Sequence, residues 1–449
     1  MNKFNQLWSN LRSNFWFMPS LIVLVSIALA TVLIEADSAG SDRWLAQWPR
    51  LFGAGPEGAR GMMSTIAGSM MSVVGVTFSM ILVVLALASS QYTSRILRNF
   101  MRSRVTQVVL GIFAGIFTYC LIVLRTIRGG DGGVFVPSLA VFFGLVLALG
   151  GVGTLMFFIH HIASSIQASS IIASVAQETT TSIDRLFPER LGQGLGEDDD
   201  DQTLCPLSNR NWRIVPAMQS GYIQSVNNAA LLRLALDRKT IVRMEHGIGE
   251  FVVQNTMLAS VALPDPPEEE TIAAVQAAFS ISRHRTVEQD AAFGIRQIVD
   301  VALKALSPGI NDTTTAVMCV DYLTAILARL VSREIPSACC YEEGELRVIA
   351  IRPSFASLVD ESFDQIRGSA MGNVAIMLRM LGALQTIASL TVSPSRRRAL
   401  RDQVGWIAEL AERTIESTQD RARIDTRLAC VREALEVEPA LYAGKEKAN

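Results

Sequence analysis

The chain has 449 residues, half of them hydrophobic, and a net charge of −2. That is too long for one ordinary domain, and its near-neutral charge gives no footprint for nucleic acid, which is excluded as an expected partner. The apolar excess lies toward the N-terminus, so the expected order is a membrane domain first and a soluble domain after it.

Four apolar runs, 16–34, 62–88, 105–124 and 134–162, reach roughly the 17 to 25 residues that a spanning helix needs. Lys3 and Arg12 precede the first run as they would precede a signal peptide, but the apolar core is longer than such a segment requires. It reads as an anchor helix. In the second run Thr65, Gly68, Ser72, Gly75, Ser79 and Ala86 fall on one helical face, interrupted by Leu82 and Val83. A small, hydroxylic face in a membrane helix serves either close backbone packing or the lining of a water-filled path. These residues are pore-lining candidates, and both readings stand.

The loop 89–104 carries Arg95, Arg98, Arg102 and Arg104 and no acid, which suits an inner mouth that attracts anions or a contact with acidic lipid headgroups. The opposite loop, 35–61, mixes both signs and holds Trp44 and Trp48. Arginine density therefore places the 89–104 loop, and with an even number of spans both termini, on the cytoplasmic side of a bacterial inner membrane.

Between the third and fourth runs lies Arg128-Gly129-Gly130-Asp131-Gly132-Gly133, a short turn that makes them a hairpin. Gly111 and Gly115 in one run and Ala140, Gly144, Ala148 and Gly151 in the other repeat a small-residue spacing suited to close helix contact. His160 and His161 end the fourth run. Adjacent residues point about 100° apart on a helix and cannot share one metal, so the pair anchors the interface or gates in response to pH. The helix is expected to run on to about residue 186.

The organisation that follows is a transmembrane domain over 1–163, a helical extension over 164–190, an acidic linker over 191–204, a β-rich subdomain over 205–264 and a mainly helical domain over 265–449. The linker lacks the alternating oxygen ligands of a calcium loop. In the β-rich part, strands are expected at Arg213–Pro216, Tyr222–Val226, Thr240–Met244 and Met257–Leu263, around a helix at Asn228–Asp237. Gly247-Ile248-Gly249-Glu250-Phe251-Val252 reads as a tight turn that either packs or helps to bind a ligand. Further on, Ser307-Pro308-Gly309-Ile310-Asn311-Asp312 separates two helices, with Asp312 suited to cap the second. This turn is structural or an anion-binding helix end. A lone strand is expected at Glu345–Ile351.

Of the six cysteines, Cys205, Cys319, Cys339, Cys340 and Cys430 lie in the C-terminal part and Cys120 lies in a span. Their spacing suggests neither disulfides nor a zinc site, and reduced thiols are expected. No catalytic motif of the hydrolase, P-loop or dinucleotide type is present, so neither an enzyme nor a cofactor is expected. The central parts of the spans hold no Asp, Glu, Lys or Arg, which disfavours ion-coupled transport and leaves a passive pore open.

The stretches Ala67-Gly68-Ser69-Met70 through Ala88-Ser89-Ser90-Gln91-Tyr92 and Arg95-Ile96-Leu97-Arg98-Asn99-Phe100-Met101 resemble a bacterial family of predicted membrane proteins, domain of unknown function 2254. Phe158-Ile159-His160-His161-Ile162 and Ala305-Leu306-Ser307-Pro308-Gly309-Ile310-Asn311-Asp312 resemble its other recurrent stretches. The resemblance implies an inner-membrane protein with a cytoplasmic C-terminal region and little about activity. In the family pattern Pro commonly follows the Asn-Asp pair, where this chain has Thr313.

The expected protein is thus an α-helical membrane protein with four transmembrane helices, followed by a mixed, mainly α cytoplasmic domain containing a small β-rich subdomain. The expected function is an oligomeric channel lined by the second helix, with a cytoplasmic vestibule or gate. The competing reading is a non-conducting sensor or scaffold whose cytoplasmic domain binds a ligand or partner. Expected partners are membrane lipids and further copies of the chain, with small ions or a cytoplasmic ligand besides.

Overall fold

The computed structural model describes residues 16–38, 55–91, 104–129, 135–165, 167–188 and 210–436. The chain divides into two units, Met1–Ser170 and Ile171–Asn449.

The first unit consists of α1 (Phe17–Ser38), α2 (Pro56–Gln91), α3 (Arg104–Thr126) and α4 (Ser138–Ser165). Each is long and apolar enough to cross a membrane. Among lipid tails an apolar surface gains little by leaving lipid for protein, so these helices associate where small residues let them approach closely. α3 supplies that contact on two sides. A Cβ added at Gly111 would lie 2.7 Å from Ile22 Cδ1, and one at Gly115 would lie 2.5 Å from Ser26 Oγ, both on α1. On α4, Gly144 abuts Met63 and Tyr119, and Gly151 abuts Ile116 and Met70. The interior filled this way holds Met63, Phe113, Tyr119 and Phe158.

Two polar contacts tie the ends of the helices. The Tyr119 hydroxyl, fully buried, donates to the Ala140 carbonyl at 2.8 Å. The Asp37 carboxylate, near the end of α1, accepts the Leu139 and Ala140 amides of α4 at 3.1 Å each. A long-range acid thus caps a helix N-terminus, satisfying donors that the helix itself leaves open. It also fixes the α1 end against the hairpin between α3 and α4, where Arg128 and Phe135 exchange backbone hydrogen bonds.

The expected single helix reaching residue 186 is two helices: α4 ends at Ser165 and α5 spans Ala168–Leu186. At the break the amides of Gln167 and Ser170 turn back three residues, to Ser164 and Gln167, and the Ser165 hydroxyl competes for the His161 carbonyl at 2.7 Å.

The second unit mixes sheet and helix. Its elements after α5 are β1 (Trp212–Pro216), β2 (Gly221–Val226), α6 (Asn228–Asp237), β3 (Val242–Met244), β4 (Phe251–Val252), β5 (Met257–Ala262), α7 (Glu269–Ala277) and β6 (Phe279–Ser282). Then follow α8 (Ala291–Ala305), α9 (Thr313–Val331), β7 (Cys339–Glu342), β8 (Glu345–Ile349), α10 (Phe355–Ser369), α11 (Val374–Ala388), α12 (Pro394–Thr414) and α13 (Thr418–Glu436). One sheet has the order β1-β5-β3-β8-β7 and the other β4-β2-β6. In the larger sheet β3 is antiparallel to β5 and parallel to β8.

This topology corrects the expected boundary at 264/265. The β7–β8 hairpin, far along the chain inside the supposed helical domain, completes the larger sheet, and β6 completes the smaller one. Strand pairing over such distances leaves no mark in local sequence. Gly247–Val252 is likewise more than a turn, because Phe251 and Val252 pair with Tyr222 and Gly221.

Helices α8 to α13 form a packed layer around Phe355, Phe363, Leu381 and Ile407, all fully buried. Four of the six starts are set locally: Asp290, Asp312, Ser354 and Asn373 each accept the backbone N–H three residues on. α9 is a fifth helix long and apolar enough to cross a membrane. It packs against α8 and α11, and its Asp321 pairs with Arg379 of α11. Cys339 is disulfide-bonded to a partner outside the described residues, against the expectation of reduced thiols.

Candidate functional site

α2 presents two opposite faces. Ala59, Met63, Ala67, Met70, Thr77 and Val84 are buried against the other helices of the unit. Thr65, Gly68, Ser72, Gly75, Ser79 and Ala86 are all exposed. At about 100° per residue the mean directions of the two sets lie roughly 180° apart. Among the described residues nothing approaches within 4 Å of a Cβ built at Gly68 or Gly75. Close packing against the described residues therefore does not account for the small residues of this face.

Two of the hydroxyls on that face turn back onto the helix. Thr65 Oγ1 donates to the Gly61 carbonyl at 2.8 Å and Ser72 Oγ to the Gly68 carbonyl at 3.1 Å. Each oxygen keeps acceptor capacity that points outward, toward whatever covers the face. On the packed side the reverse holds: Thr77 is buried and its hydroxyl has no hydrogen-bond partner among the described residues.

Of the four basic-loop candidates, Arg95, Arg98 and Arg102 lie outside the described residues. Arg104 opens α3 and stands at the end of an apolar groove of about 550 Å³ between α3 and α4, lined by Val105, Val108, Ile112, Gly153 and Phe157. A cation beside an apolar trough matches the two ends of an anionic lipid. His160 is exposed at the end of α4, while His161 is half-buried and stacks on Phe157 with ring centroids 5.9 Å apart.

The Ser307–Asp312 segment is a tightly bonded connection. The Ile310 and Asn311 amides donate to the Ser307 carbonyl and the Asp312 amide to the Ala305 carbonyl. Asn311 adopts φ +49, a left-handed conformation that Asn tolerates better than most residues. Asp312 accepts both the Thr315 amide at 3.0 Å and the Thr315 hydroxyl, and these bonds hold its carboxyl below the usual range. The first turn of α9 thus already has an anion at its head. Pro308 and Gly309 occupy the outer part of the turn, where a Cβ on Gly309 would meet nothing.

Sequence reasoning missed a cavity of about 370 Å³ inside the second unit. It lies where the end of α5, the start of α8, the Gly247–Glu250 loop and the segment after β8 converge. Gly249, at φ +88, lets that loop pass close to Asp290 and Arg285, where a Cβ would overlap both side chains. The glycine pair was a signal for this loop; nothing local marks Arg352, which enters from beyond β8. Among the described residues no group of three or more His, Cys, Asp or Glu is placed to hold a metal ion.

Residues 12–386 match a family described as "Predicted membrane protein (DUF2254)". Two similar chains, from Mycobacterium bovis and from Mycobacterium tuberculosis strain H37Rv, are each 31% identical over 433 residues, covering 94% of this chain and 81% of the relative. Both carry the description "Uncharacterized protein". No solved structure matches the chain.

Proposed function

Because the chain belongs to the DUF2254 family of predicted membrane proteins, we propose that it acts as an oligomeric channel of the bacterial inner membrane, with α1 to α4 as its spans and α2 lining the path. The observation that carries this reading is the direction of the small, hydroxylic face of α2, which points away from its own subunit. In a ring of copies such a face turns toward the common axis, where Ser and Thr oxygens and bare glycine backbone meet water or ions. In this reading α9 is a core helix of the second unit, because its Asp321–Arg379 pair and its packing on α8 and α11 suit a protein interior. The second unit is cytoplasmic and serves as vestibule or gate, in keeping with the arginines at 95–104. The Cys339 disulfide argues the other way on orientation, since such bonds belong to oxidising compartments. A fluorescent reporter that matures only in the cytoplasm, fused to the C-terminus, decides between them.

The channel is tested by purified protein in a planar bilayer under asymmetric salt. Unitary currents altered by Ser72→Asp or Ser79→Asp support α2 as the lining helix. Currents indifferent to both substitutions place any path elsewhere. Silence across voltage, tension and pH selects the second reading, a membrane-anchored sensor, which the cavity of the second unit favours.

A further inference from the structure

The second-unit cavity has walls of uneven character. Phe187, Met244, Ile248, Ala350 and Ile351 supply apolar surface, while Arg352, Glu250 and Asp290 supply charge. The two acids are already engaged. Asp290 accepts Arg285 through both oxygens, at 2.8 and 3.1 Å, and also caps the Phe293 amide at 3.0 Å. Glu250 meets His246 Nδ1 at 2.9 Å. The cation is not. Arg352 has no carboxylate within ion-pair distance among the described residues, and its recorded contact is a long one to Cys340 Sγ at 3.9 Å.

Beside it the cavity is lined by Ala291 and Ala292, the first two residues of α8. Amides at these positions have no acceptor within their own helix. A half-buried arginine without a carboxylate partner among the described residues, the first residues of α8 and an apolar wall line one cavity. Its volume lies within the range of small-molecule sites.

We infer that this cavity binds a small organic anion, a carboxylate or phosphate ester on an apolar body, with Arg352 holding the charge. The site also reaches the helix that follows the last membrane span. Leu186 and Phe187, at the end of α5, form part of its wall. α5 is fixed to the α8 region by Ser182 Oγ, which donates to the Val287 carbonyl at 2.7 Å, and by Thr179 against Gly294. An occupant therefore touches the C-terminal end of the segment that the membrane domain leads into along the chain. This deepens the reading of the second unit as a gate or sensor and rests on it only for that coupling; the site itself stands on the cavity.

The test uses full-length protein in lipid nanodiscs, titrated calorimetrically with phenyl phosphate, benzoate and benzylamine against empty nanodiscs. Saturable binding of phenyl phosphate or benzoate, and none of benzylamine, is the expected result. The preferred anion tells phosphate from carboxylate chemistry. Arg352→Gln should weaken that binding tenfold or more, and Ala292→Phe, which fills the space, should abolish it, both at an unchanged melting temperature without probe. If Ala292→Phe does not fold, Arg352→Gln alone decides. Absence of saturable binding by both anions, equal binding of benzylamine, or wild-type affinity in the variants overturns the site. Because no current is read, that failure leaves the channel to the bilayer recordings.

Discussion

α2 and α3 are both apolar helices rich in small residues, yet they use them in opposite ways. Gly111 and Gly115 of α3 are pressed against α1, whereas Gly68 and Gly75 of α2 face open space. A small residue in a membrane helix is thus a licence for approach, and only its direction says whether the neighbour lies within the subunit or outside it.

The contrast breaks most sharply under substitution by leucine. Gly115→Leu drives a side chain into Ser26 and Ile22 and should cost about 3 kcal/mol or more, seen as loss of monodisperse protein from detergent. Gly68→Leu meets nothing among the described residues and should leave the melting temperature unchanged while altering assembly size or unitary current. Equal damage from both would erase the distinction.

Asp37→Ala removes the cap on α4 and should cost about 1–2 kcal/mol in thermal unfolding of the membrane unit. Thr77→Val replaces a buried hydroxyl that has no partner among the described residues and should stabilise by about 1 kcal/mol, whereas Ser72→Val on the outward face should not stabilise.

A smaller effect belongs to the second unit. Asp184 accepts Arg329 at 2.8 Å and Arg333 at 2.6 Å, and the Arg329 hydrogen bond in particular holds its carboxyl below the usual range. A carboxyl depressed in the folded state binds fewer protons there than in the unfolded chain, so it adds stability above its ordinary value of about 4. That contribution is lost as the pH falls through the lowered value. Asp184→Asn should flatten the acid limb of a melting-temperature profile between about pH 5 and 3. An unchanged profile would show that the contact carries no linkage.

Much of the fold was legible. The apolar runs locate α1 to α4 because hydropathy is a local sum, and the observed helices Pro56–Gln91 and Ser138–Ser165 extend or shift those runs by up to six residues at an end. Asp312 was legible as a cap because capping involves residues three apart. The helix break before Ala168 was not, since neither Pro nor Gly marks it. Strands β7 and β6 escaped because Cys339–Glu342 and Phe279–Ser282 are short and lack alternation until partners define their faces. Of the candidate site, the stripe on α2 was readable as a spacing and the Gly247–Glu250 loop as a turn, but Arg352 was anonymous.

By itself the sequence determined four of the five described segments apolar enough to cross a membrane, where several helices begin, and that one face of α2 is small and hydroxylic. These follow from composition and from periods of a few residues, which are properties of the chain. Tertiary structure decided that this face turns outward, that β8 lies beside β3, and that Arg352 stands next to the start of α8. A helical period defines a face without saying what it meets, and contacts between distant residues are set by the packing of whole elements.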